Sequence, residues 1–148
     1  MSLEIIISDA IKDAMRAKDK IALDALRAVK SQILLVKTEA KGADVSAEQE
    51  IAILQRMIKQ RKDSFDQFTA QNRSDLAEVE QAQSTIIEKF LPQQLSAEEL
   101  ESEIKKIISQ TGAESAKDLG KVMGMASKAL AGKSDGKSIS DMAKKLLS

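Results

Sequence analysis

The chain has 148 residues, 43% of them apolar, with 23 basic and 23 acidic side chains. That is enough apolar material for one ordinary domain or two small ones, and zero net charge gives the molecule as a whole no pull toward nucleic acid or an anionic membrane. Cysteine, histidine, Trp and Tyr are absent and Phe occurs three times, which excludes disulfides, thiol nucleophiles, imidazole bases and the usual zinc ligand sets, and nearly excludes base stacking on aromatic rings.

Leu3, Ile6, Ile7, Ala10, Ile11, Ala14 and Met15 recur at spacings of three and four, predicting an amphipathic first helix closed by Lys18-Asp19-Lys20. Ala22, Leu26, Val29, Ile33 and Val36 predict a second, fraying over residues 38–41 before Gly42. Ser46 with Gln49 forms a capping box that opens the third and longest helix, whose expected buried stripe is Ile51, Leu54, Ile58, Phe65 and Phe68. The pattern breaks at 70–75, where Asn72 suits a left-handed turn and Ser74 or Asp75 a cap. Leu76, Val79, Ile86, Ile87 and Phe90 then carry a fourth helix toward Pro92, the only proline.

Pro92 cannot continue a helix and pushes Leu91 toward extended backbone. Ser96 with Glu99 reads as a second capping box, and Leu95 with Leu100 as a hydrophobic staple across the same helix start. Leu100, Ile104, Ile107 and Ile108 make helix five, stopped by Gly112; Ser115 with Asp118 opens helix six, with Leu119, Val122, Met123, Ala126 and Leu130 as its stripe. Gly132-Lys133-Ser134-Asp135-Gly136-Lys137 is expected as the last loop, before a seventh helix carrying Ile139, Met142, Ala143, Leu146 and Leu147. No strand is predicted. The expected fold is all-α: a four-helix N-terminal domain over 1–91, a linker at 92–95 and a small three-helix domain over 96–148. No uncharged apolar run approaches a membrane span, and an acid stands where a signal peptide carries a base. A cytoplasmic place, or an organelle interior after processing, is therefore expected, with no membrane partner.

Glu98, Glu99, Glu101 and Glu103 cluster where the helix dipole favours acids, so they read as a solvated first turn. Arg56, Lys59, Arg61 and Lys62 read as the solvated face of helix three. Charge is uneven along the chain: residues 1–91 carry 14 basic and 15 acidic side chains, whereas 117–148 carry seven lysines (117, 121, 128, 133, 137, 144 and 145) against Asp118, Asp135 and Asp141. The 132–137 segment lacks the residue order and the preceding strand of a Walker loop. It reads either as a glycine-flanked turn whose lysines can approach a phosphodiester backbone or as an ordinary solvated turn.

Several motifs together resemble one family. Ala14-Met15-Arg16-Ala17-Lys18-Asp19-Lys20, Arg61-Lys62-Asp63-Ser64 with Phe68, Arg73-Ser74-Asp75-Leu76-Ala77-Glu78, Phe90-Leu91-Pro92-Gln93-Gln94-Leu95-Ser96, Asp118-Leu119-Gly120-Lys121-Val122-Met123 and the 132–137 segment are similar, in order and over essentially the whole chain, to the YqeY-like proteins. Ala22, Asn72 and Phe90 depart from the residues these proteins often carry. The resemblance implies an N-terminal helical domain followed by a three-helix domain similar to the tail of the B subunit of the tRNA-dependent Asp/Glu amidotransferase, a tRNA-contacting module. It also implies a glutamine-dependent carbon–nitrogen ligase label, although no counterpart of that enzyme's ATP-using body or amidase subunit is present here. Carried over residue by residue, the tail's role falls on Lys121, Gly132, Lys133, Gly136 and Lys137, with Lys128, Lys144 and Lys145 as weaker candidates. The expectation is a non-catalytic accessory protein, without cofactor or metal, whose partner is tRNA or an aminoacyl-tRNA enzyme. A protein-interaction scaffold, docking through helix three's basic run or the Met123/Met125 region, is the alternative.

Overall fold

A computed structural model describes residues 2–148. Among them the secondary structure is entirely helical: α1 (Leu3–Ala17), α2 (Lys20–Glu39), α3 (Ala47–Ala70), α4 (Ser74–Glu88), α5 (Ala97–Thr111), α6 (Leu119–Ala129) and α7 (Gly136–Leu147), with a 3-10 turn at Ala116–Asp118. The chain divides into two compact units, one ending at Leu91 and one running Pro92–Ser148.

The first unit is built from two helical hairpins. Lys18, left-handed at φ 56°, reverses the chain after α1, and the Asp19 carboxylate accepts the Ala22 N–H at 3.1 Å to open α2. Asn72, at φ 59°, turns α3 into α4. Neither Ser74 nor Asp75 caps α4. Arg73 is its N-cap and makes no side-chain cap bond; its guanidinium instead clasps the Asp75 carboxylate through two hydrogen bonds of 3.2 and 3.1 Å. α2 packs on α3 and α4, and Ile7, Val29, Ile33, Leu54 and Ile87, each at most 1% exposed, fill the space between the helices. Burial of each such side chain contributes about 1.5–3 kcal/mol. The buried part of α3 is Ile53, Leu54, Met57 and Ile58. Phe65 and Phe68, expected on that stripe, are half-buried, because beyond Ile58 no residue of α3 is enclosed, and Ile51, also expected there, is half-buried while its neighbour Ile53 is enclosed.

In the second unit, α5 opens on the reciprocal capping box of Ser96 and Glu99 and stops at Gly112, left-handed at φ 70°. Ser115 caps the 3-10 turn, not α6 directly: its hydroxyl accepts the Lys117 N–H at 3.4 Å, and α6 begins only at Leu119. The three helices close around Ile104, Val122, Ala126, Ile139 and Ala143, all at most 3% exposed. Their burial leaves the polar faces of α6 and α7 outward.

Candidate functional site

The expected contact residues lie on α6, on the turn after it and on the first turn of α7. Lys121, Gly124 and Lys128 fall at i, i+3 and i+7, one face of a 3.6-residue helix, and all three are exposed while Val122 and Ala126 on the opposite face are fully buried. Gly132, left-handed at φ 77°, turns the chain after Leu130, and the Lys133 N–H closes that turn on the Leu130 carbonyl at 3.0 Å. Gly132 is buried and Lys133 exposed. Gly132 thus shapes the turn from inside instead of offering a surface.

The last loop is shorter than expected. Asp135 is the N-cap of α7, its carboxylate accepting the Ser138 N–H at 2.6 Å, so Gly136 and Lys137 are helical and not part of the loop. The aspartate side chain reaches forward to an orphan amide, which starts the helix three residues before the first apolar position. Asp135 also sets a negative charge on the helix end between Lys133 and Lys137.

Two bonds from a distant segment hold the turn. The Leu95 N–H donates to the Lys133 carbonyl at 2.9 Å, and Gln94 Nε2 donates to the Gly132 carbonyl at 2.5 Å and to the Pro92 carbonyl at 2.8 Å. Beside it lies an open groove of about 390 Å³ whose walls include Leu95, Ser134, Ser138, Met142 and Lys145, so the structure brings Lys145 into the neighbourhood of the turn. Lys144 lies on the exposed side of the same last turn of α7, where a cation suits the helix dipole.

The two basic regions differ in how their cations are engaged. On α3, Arg56 donates to Gln32 at 3.2 Å, Arg61 to Gln83 at 3.1 Å and to the Met57 carbonyl, Lys59 pairs with Asp63 at 3.9 Å and Lys62 with Glu88 at 3.6 Å. Among the described residues, none of the seven lysines from Lys117 onward makes an ion pair. Lys121 has only a diffuse partner. The Glu114 N–H, 3.0 Å from Asp118 Oδ2, holds the Asp118 carboxyl below its ordinary range, helped by the Ser115 N–H and by the charge of Lys121. Three acids of the α5 cluster are engaged as well: Glu99 in the capping box, Glu101 with Lys105 and Glu103 with Lys106, each pair at 3.3 Å.

Gly120 and Gly124 were not among the expected contact residues. Both lie inside α6, neither has a positive φ, and a methyl group placed on either meets nothing within 4 Å. Nothing inside the chain requires glycine there, although an interior glycine disfavours a helix by about 0.5–1 kcal/mol relative to alanine. Their spacing of four within a helical pattern was the available signal.

Among the described residues no helix is long and apolar enough to cross a membrane. The proteins named "Altered inheritance of mitochondria protein 41, mitochondrial" are similar to this chain. The one from Lachancea thermotolerans is 36% identical over 64% of this chain and 51% of its own length. That from Saccharomyces cerevisiae strain S288c is 33% identical over 66% and 54%, and that from Meyerozyma guilliermondii 34% identical over 79% and 67%. The chain spans about half the length of the first two relatives. Their names overturn the expectation of a cytoplasmic place. Absent cysteine and a lack of long apolar runs suit the interior of a mitochondrion equally well, so composition carried no information on that choice. The Yqey-like protein family model matches residues 5–147, and the chain therefore belongs to that family.

Proposed function

We propose that this protein is a non-catalytic accessory factor that holds tRNA by its phosphate backbone through the second unit, with mitochondria, the compartment in its relatives' names, as the setting. The observation that carries the reading is the contrast between cations: the basic side chains of α3 are engaged within the fold, whereas the lysines of α6, the turn and α7 make no ion pair among the described residues. Unpaired surface lysines exchange a hydration shell and small counterions for phosphate without first breaking an internal contact. The lysine–glycine–lysine face of α6 supports the same reading, since a helix without side chains at Gly120 and Gly124 admits a sugar–phosphate strand close to its backbone.

Salt dependence of tRNA binding tests it. Two lysine contacts correspond to a log–log slope of about −1.4 to −1.8, and four to about −2.8 to −3.6. Joint replacement Lys133→Ala and Lys137→Ala is expected to weaken binding and flatten the slope by about 1.4 to 1.8. A wild type that ignores tRNA at low salt, or a double variant with an unchanged slope, ends the proposal. Protein docking then takes its place, and one observation favours that second reading: Ile5 and Leu35 of the first unit are each 52% exposed.

A further inference from the structure

The segment after Pro92 does more than join helices. Gln94 has two amide hydrogens, and both are used: one on the Pro92 carbonyl at 2.8 Å and one on the Gly132 carbonyl at 2.5 Å, 38 residues away. The next residue repeats the link, Leu95 N–H to Lys133 carbonyl at 2.9 Å. The carbonyls of Gly132 and Lys133, on both sides of the Lys133 Cα, are therefore tied to one short segment that is itself fixed by the capping box of α5.

We infer that Gln94 is a positioning residue for RNA contact, setting the backbone from which Lys133 projects so that the Lys133 and Lys137 side chains leave the main chain at a fixed separation. The inference rests on the tRNA-binding reading and adds a residue that touches no phosphate itself. A lysine on a free turn must be ordered when it binds, and that ordering subtracts from affinity; a turn held beforehand avoids the loss. The number of phosphates neutralised depends on which lysines are present, not on how well they are held. Loss of the strap should consequently lower affinity without changing the salt slope, a signature opposite to that of lysine removal.

The experiment compares Gln94→Met, which keeps volume without donors, and Gln94→Glu, which places an acceptor against two carbonyls, with Gln93→Ala as control, since Gln93 is exposed like Gln94 but makes no side-chain hydrogen bond among the described residues. Binding of labelled tRNA is followed across a salt series, together with thermal melting and amide exchange at Leu95. Both Gln94 variants are expected to bind about three- to tenfold more weakly, the effect of one or two hydrogen bonds, with faster Leu95 exchange; Gln94→Met, which adds no charge, is expected to keep the wild-type slope, and Gln93→Ala to match wild type. Wild-type affinity in the Gln94 variants overturns the inference alone, even if their melting temperature falls, because the residue then serves only stability. In Gln94→Met, a reduced slope or a Leu95 amide that stays protected also overturns it. A wild type that binds no tRNA overturns the functional reading and this inference together.

Discussion

Glu50 Oε2 accepts the backbone N–H of Leu3 at 2.7 Å, across 47 residues. A carboxylate on α3 thereby meets the positive end of α1, where the Ser2 hydroxyl already accepts from Ile5, and two orphan amides of one helix start are satisfied from different directions. Glu50→Ala should cost about 1–2 kcal/mol and raise amide exchange in the first turn of α1. Glu50→Gln, which keeps an acceptor, should cost less. Equal melting temperatures for Glu50→Ala and wild type would show that the bond contributes nothing.

Ser84 is 1% exposed and its hydroxyl has no hydrogen-bond partner among the described residues. Such a group carries a desolvation penalty of about 1–3 kcal/mol, and alanine is the better helix former. Ser84→Ala should therefore raise stability by about 1 kcal/mol or more, a shift of about 4–8 °C in melting temperature for a unit of this size. A decrease would reveal a partner the hydroxyl does find in solution.

Gly124→Ala is expected to stabilise the second unit by about 0.5–1 kcal/mol and to weaken tRNA binding at the same time. Thermal melting and binding on the same samples separate the two effects. Stabilisation without loss of affinity would remove α6 from the proposed interface.

The lowered range of Asp118 fixes a pH dependence and its sign. A carboxylate held below its ordinary value by the Glu114 N–H contributes stability that is complete above the unfolded value, about pH 4, and is lost as pH falls through the depressed folded one. The Glu114 amide resonance should report this titration, and Asp118→Asn should abolish it. Continued titration at that amide in the variant would assign the effect elsewhere.

We further propose that the two units fold independently. Ile104 is fully buried in the second, and Ile104→Ala should remove about 2–5 kcal/mol there. Circular dichroism should then show a separate early transition with the first unit's melting unchanged. One cooperative transition shifted as a whole would mean a single folding body.

Local chemistry made much of this fold legible. The capping boxes at Ser46/Gln49 and Ser96/Glu99 act within four residues, and both form as the spacing implied. Errors arose where two short-range signals competed. At the α4 start the serine and aspartate lost to an Arg73–Asp75 pair, and at α7 the Asp135 cap extended the helix over Gly136 and Lys137. Periodicity placed Leu54 and Ile58 on the buried face of α3 but took Ile51 where Ile53 is enclosed, and it could not tell where the partners of α3 end, so Phe65 and Phe68 looked more enclosed than they are. At the candidate site the lysines were visible and their support was not. Gln94 with Gly132 and Leu95 with Lys133 are contacts across 38 residues, made by an amide and backbone groups that carry no pattern in the chain.

The uneven engagement of charge makes the hairpins before Pro92 and the segment 117–148 opposite in their tolerance of brine. In the first unit Lys37–Glu4, Lys62–Glu88 and Arg73–Asp75 are attractive pairs, and dissolved ions erode such attraction. The end of the second unit instead carries seven lysines against three aspartates with no ion pair among the described residues, and the same ions relieve the net repulsion. Moderate salt should therefore toughen residues 117–148 against heat while slightly softening the hairpins before Pro92. A bound polyanion should toughen them more, which would make this end of the protein firmest when it is occupied.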